Sequence, residues 1–142
     1  MYRNILIALG NDPADAGLVS HVVELASRFN SRVILLHVAD GFAARAFDQL
    51  KLAESEEMKI DRDYLEKVAA DFRAKKIPVD LKLALGNPPT EIVKIAEAEK
   101  CDLIALAGHG HRLFGDILHG STITEVRHKT EIPLLVVRAK KK

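Results

Sequence analysis

The stretch LIALAGHGHRLFGDILHGSTIT, Leu103 to Thr124, decides how the chain is read. An apolar run, Leu103-Ile104-Ala105-Leu106-Ala107, enters a segment holding Gly108, Gly110, Gly115 and Gly120. Ser121 and Thr122 follow, and then a helical pattern begins. A strand buried on both faces reads as a continuous apolar run, which points to a parallel sheet. Glycines let a backbone approach a ligand closely, and the first N–H groups of a helix are unpaired and attract an anion. A buried strand, a glycine-rich turn and a hydroxyl-rich helix start therefore predict a phosphate site, and a nucleotide as its ligand.

Working outward, the same apolar signature recurs. Asn4-Ile5-Leu6-Ile7-Ala8-Leu9 reads as a first strand and breaks at Gly10-Asn11-Asp12-Pro13. Asp12 suits a helix N-cap, Pro13 the first helical position and Asp15 the first turn. Leu18, Val22, Ala26 and Phe29 then predict a helix from Pro13 to Phe29, ended by Asn30-Ser31. Val33 to Val38 is a second strand of the buried type, in which His37 reads as a strand-edge histidine with one hydrogen bond. Asp40-Gly41 reads as a turn. Phe42 to Glu57 is an uneven, partly helical insertion, and Leu65, Val68, Ala69 and Phe72 place a helix from Met58 to Lys75. Pro78 to Leu85 alternates like an edge strand, and Asn87-Pro88-Pro89 starts a helix with Ile92, Val93, Ile95 and Ala96 inward. After the glycine segment, Thr122 and Glu125 have capping-box spacing for a helix reaching Lys129. Pro133 to Arg138 is the fifth strand. The β-α alternation predicts an α/β fold: an open five-stranded parallel sheet with helices on both faces, Rossmann-like. Ligands in such sheets lie beyond the strands' C-terminal ends, where strand order reverses.

Bulk properties narrow the function. At 142 residues, 48% hydrophobic and 29% charged, the chain is expected to form one domain, 1–142, with a basic tail at 139–142. Lys+Arg 21 against Asp+Glu 20 leaves +1, which provides no general field for nucleic acid. No apolar run approaches the ~20 residues of a membrane span, and no charged-then-apolar start marks a signal peptide. Together these predict a cytoplasmic protein with no nucleic-acid partner and no membrane insertion.

Other chemistries fit poorly. His109, His111, His119 and His128 lack a carboxylate or cysteine at zinc-site spacing, so no metal site is expected. Gly108-His109-Gly110-His111 approaches the H-x-G-H signature of nucleotidyl transferases, but follows the fourth strand instead of the first and opens with Gly. Ser121 has His119 nearby but no third triad member. Cys101 reads as a small packing residue, since a reactive thiol needs an electropositive setting. No catalytic residue is identified.

The residues resemble the universal stress protein family from end to end. The likeness runs through ILIAL in the first strand, VILLHV in the second, G-N-P-x-x-E-I-V before the third helix, DLIALAGHG in the fourth strand and I-P-L-L-V-V at the close. Gly110, nine residues, then Gly120 and Ser121 are similar to the second half of the family's nucleotide motif, G-x-x-G, nine residues, G-[S/T]. The resemblance implies an adenine nucleotide alpha-hydrolase-like fold and a homodimer through Pro133 to Arg138. It implies ATP or AMP as ligand, with Mg²⁺ as a companion ion. Ala8, Leu9, Gly10 and Val38 would line adenine and ribose. Ala107, His109 and Gly110 would curve around the ribose and first phosphates, and Gly120, Ser121 and Thr122 would hold the outer phosphates.

Two positions depart from the family pattern. Ala107 stands at the first motif glycine, and Gly10 stands where nucleotide-binding relatives carry an aspartate. A hydrogen bond lost to a ligand is worth about 1–3 kcal/mol, roughly ten- to a hundred-fold in affinity. The expectation is a regulatory stress-response protein whose nucleotide binding is weakened or altered, with at most slow ATP hydrolysis, signalling to a protein partner. The alternative is a nucleotide-free dimeric adaptor.

Overall fold

The computed structural model describes residues 1–39, 51–108 and 120–138, with the side chains of 51–57 and 120–121 left aside. Among the described residues nine elements alternate: β1 (Asn4–Ala8), α1 (Asp15–Phe29), β2 (Arg32–Ala39), α2 (Lys51–Arg73), β3 (Val79–Leu85), α3 (Pro88–Ala98), β4 (Leu103–Gly108), α4 (Gly120–Lys129) and β5 (Leu134–Arg138). The strands form one sheet in the order β3-β2-β1-β4-β5, and all four pairings are parallel. Strand order reverses between β1 and β4, so the switch point lies beside Ala8 and Leu106, which face each other across that pairing.

Period-two alternation explains why β1, β2 and β4 read as unbroken apolar runs. Ile5, Ile7, Val33, Leu35, Leu103 and Ala105 face one core, closed by Leu18 and Val22 of α1 and Leu65 and Phe72 of α2. Leu6, Ile34, Leu36, Ile104 and Leu106 face the other, closed by Ile92 and Ala96 of α3 and Val126 of α4. Each fully buried aliphatic side chain contributes about 1.5–3 kcal/mol, and the central strands bury them on both sides. β3 is an edge strand with part-exposed residues, as its alternating pattern predicts. Cys101 packs into the second core, and burial pushes its thiol up to about 11.

The helix ends partly depart from expectation. Asn30 closes α1 in the left-handed conformation with φ 54°, and Asn87 caps α3 by accepting the Thr90 N–H at 3.2 Å, as the pattern implied. At its start, however, α1 begins at Asp15, after a turn in which the Asp12 carboxylate accepts the Ala14 N–H at 2.8 Å. Asp12 therefore caps that turn rather than the helix, while Asp15 is the first-turn acid as expected and is buried there. The helix expected from Met58 begins at Lys51, because Lys51 to Glu57 consists mostly of good helix formers although it lacks an apolar stripe. The Thr122–Glu125 capping box is also corrected. α4 already begins at Gly120, so Thr122 lies inside its first turn and is buried, and the spacing is that of two residues on one helical face.

Candidate functional site

β1 ends by sending the Leu9 N–H to the Leu36 carbonyl at 2.8 Å, which carries the ladder one residue past the strand. The chain then turns through Gly10 and Asn11, the latter at φ 58°. The three successive amides of this turn converge on one side chain. Asp15 accepts Gly10 N–H at 3.2 Å, Asn11 N–H at 2.8 Å and Asp12 N–H at 3.4 Å. A fourth donor arrives from across the molecule, the Tyr64 hydroxyl of α2. Asp15 is only 3% exposed. Burial raises its pKa above the ordinary value and Asp12 adds to the rise, while the bonds from Tyr64, Gly10 and Asp12 oppose it. Tyr64 is itself shifted upward, chiefly by burial and then by its bond to Asp15, so its hydroxyl remains a donor.

β2 contributes a second tie at the same end. His37 is 6% exposed, its Nδ1 lies 2.8 Å from the Leu9 carbonyl, and its Nε2 lies 3.5 Å from an Asp61 carboxylate oxygen of α2. A carbonyl can only accept, so Nδ1 carries the proton of that bond. The strand-edge expectation is thus corrected. β2 lies between β1 and β3, and His37 engages partners through both ring nitrogens.

Ala8, Leu9 and Gly10 meet Leu36, His37, Val38 and Ile92 around a recess at these strand ends. Four expected site residues, Ala8, Leu9, Gly10 and Val38, are thereby brought together. The recess holds about 10 Å³, the space of a single water molecule. Ala107 is buried near the end of β4, on the far side of the switch point and outside this lining. Thr122 is buried in the first turn of α4, whose backbone begins at Gly120 and Ser121. His109 and Gly110 lie outside the described residues, as do His111, His119 and the basic tail. Gly108 has a packing reason for being glycine: a Cβ there would come within 2.6 Å of Val136 Cγ1 on β5. A wider depression of about 790 Å³ lies between α1 and α2, lined by Val19, Val23, Tyr64, Lys67 and Val68 among others.

Sequence reasoning missed His37, Ile92, Asp15, Tyr64 and Asp61 as parts of this end. The first two sit in apolar runs that read as core. Asp15 and Tyr64 are 49 positions apart, and no local pattern joins them. Among the described residues no helix is long and apolar enough to cross a membrane.

An open parallel sheet with a recess at the ends of its central strands defines a class, the doubly wound α/β proteins whose ligands sit at strand ends. Comparison with known proteins then narrows it. The sequence pattern of the universal stress protein family matches residues 1–138, and the chain belongs to that family. Universal stress protein MJ0577 of Methanocaldococcus jannaschii is 30% identical over 162 residues, covering 99% of this chain and 97% of the relative. A solved structure of MJ0577 superposes with a TM-score of 0.83 at 27% identity, covering 100% of this chain and 99% of that one. The universal stress protein from Archaeoglobus fulgidus in complex with dAMP gives a TM-score of 0.68 at 19% identity, with 96% and 98% coverage, which speaks to the fold alone.

Proposed function

We propose that this chain is a single-domain, cytoplasmic regulatory protein that binds ATP or AMP at the C-terminal ends of β1, β2 and β4. One observation carries the reading: Ala8, Leu9 and Gly10 line a recess at the C-terminal ends of β1 and β2, and β1 is one of the two strands at the switch point. The family relative solved with dAMP lends support through its fold. In this reading Val38 completes the base end, and Ala107, His109 and Gly110 follow the ribose and first phosphate. The first turn of α4, through Gly120, Ser121 and Thr122, receives the outer phosphates at the positive end of the helix dipole. A divalent ion such as Mg²⁺ would shield those phosphates. No general base is assigned, so any ATP hydrolysis is slow. The protein acts as a homodimer through the edge strand β5, where Val136 is 40% exposed, and passes its ligand state to a protein partner.

A second reading, a nucleotide-free dimeric adaptor, is favoured by a different observation. Asp15 already occupies the three turn amides that a ligand would otherwise meet. Calorimetric titration with ATP, ADP and AMP separates the two. Binding heat in the micromolar-to-millimolar range, abolished in Gly120→Val and Ser121→Glu, supports the first reading. Absence of heat and of any thermal shift at millimolar ligand leaves the adaptor.

A further inference from the structure

We propose that α2 sets the base-binding end of the site from outside it. Tyr64, acting through Asp15, and Asp61, acting through His37, hold the backbone from Leu9 to Asp12 in the shape that receives the ligand. The inference rests on the nucleotide-binding reading above.

The two ties share a logic. Asp61 and Tyr64 are three residues apart on α2, so they project from one helical face. Each reaches a buried polar side chain, and each of those ends on the backbone of the same turn. His37 holds the Leu9 carbonyl at 2.8 Å, and Asp15 holds the next three amides at 2.8–3.4 Å. A carbonyl and three consecutive N–H groups are thus positioned by side chains whose outer partners both belong to one helix. Neither Tyr64 nor Asp61 lines the recess.

The chemistry makes these partners consequential. A carboxylate buried among backbone amides, with no cation bonded to it among the described residues, depends on every donor it has. Without the Tyr64 hydroxyl, Asp15 takes up a proton more readily. A protonated carboxyl has less acceptor capacity for the amides of Gly10, Asn11 and Asp12. With Nδ1 donating to Leu9, Nε2 attracts the Asp61 carboxylate only where it carries a proton as well. In that form the ring without Asp61 loses the group that faces Nε2 and turns more freely away from Leu9. Gly10 has no side chain with which to hold the turn independently, so its position is borrowed from α2.

Tyr64→Phe deletes one oxygen and keeps the ring, and Asp61→Asn keeps the shape while removing the charge. Both variants are compared with the wild type by residue-resolved amide exchange without ligand and by calorimetry with AMP and ATP. Exchange at Gly10, Asn11 and Asp12 should rise about ten-fold in Tyr64→Phe while amides in the middle of β2 and β4 keep their rates, as expected when one buried hydrogen bond is lost. Nucleotide affinity should fall by a similar factor in each variant. Asp61→Glu, which restores the charge, should recover part of the affinity lost in Asp61→Asn, whereas a purely structural role would gain nothing from it. Unchanged exchange at the turn, or faster exchange with unchanged affinity, overturns the proposal. If the wild type binds no nucleotide, the functional reading falls. The exchange arm then still decides whether α2 governs the turn.

Discussion

The two ends of the sheet solve the burial of charge in opposite ways. At the N-terminal end, Arg32 of β2 pairs with Asp80 of β3 and with Glu99 at 3.1 Å, and Lys82 reaches Glu99 at 3.3 Å. Asp102 accepts the N–H groups of Arg3 and Asn4 at 3.0 and 3.1 Å, and the Asn4 amide donates to the Lys100 carbonyl at 3.1 Å. Cations answer carboxylates there in solvent-accessible surroundings, and Glu99 is held below its ordinary value, first by Arg32 and then by Lys82. At the C-terminal end, the described partners of Asp15 are all dipoles, in near-complete burial, and its pKa is pushed the other way. Pairs of the first kind tie element ends together at little individual energy. A perturbed carboxylate of the second kind, beside a recess, is the pattern found where a fold gives up stability for function.

The contrast can be broken most severely from beneath. Phe72 of α2 is fully buried and anchors the helix that serves the C-terminal end. Phe72→Ala should lower unfolding free energy by about 3–5 kcal/mol in a denaturant titration. Next comes Asp15→Ala, which leaves three amides and a hydroxyl without their acceptor. A loss of about 1–3 kcal/mol is expected, and a variant as stable as wild type would show the turn finding other partners. Arg32→Ala at the opposite end should cost no more than about 1 kcal/mol, with the difference shrinking in high salt.

The smallest effect carries the sharpest sign. Asp15 titrates above 3.8 in the folded protein. Its contribution to stability is therefore fully present below that value and is lost as pH rises through the raised folded value. Glu99 titrates below 4.5, so its contribution is present above 4.5 and is lost as pH falls through the lowered folded value. Stability measured across this acid range should thus show the wild-type advantage over Asp15→Asn declining with rising pH, while the advantage over Glu99→Gln grows. Parallel slopes in the two series would dissolve the distinction between the ends.

The same contrast explains what was legible beforehand. The sheet and its two covered faces follow from continuous apolar runs such as Ile5 to Leu9 and Val33 to Leu36, which only a parallel, doubly covered strand accommodates. Gly10 and Val38 are expected at the site because strand ends collect ligands in this architecture, whereas Ala8 and Leu9 follow from the family resemblance. The ties of Tyr64 to Asp15 and of His37 to Leu9 and Asp61 could not be placed, since each is a tertiary contact between segments whose own patterns are complete without it. The Thr122–Glu125 box misled because one helical face and one capping box share the same three-residue spacing, and only the helix start distinguishes them.

The central claim, that a nucleotide seats at the ends of β1, β2 and β4, is tested most directly by following backbone amide resonances during titration with AMP and then ATP. The account predicts saturable shifts concentrated at Ala8 to Gly10, Val38 and the first turn of α4, with the α4 shifts larger for ATP. Shifts confined to the depression between α1 and α2, or none at millimolar nucleotide, would contradict it.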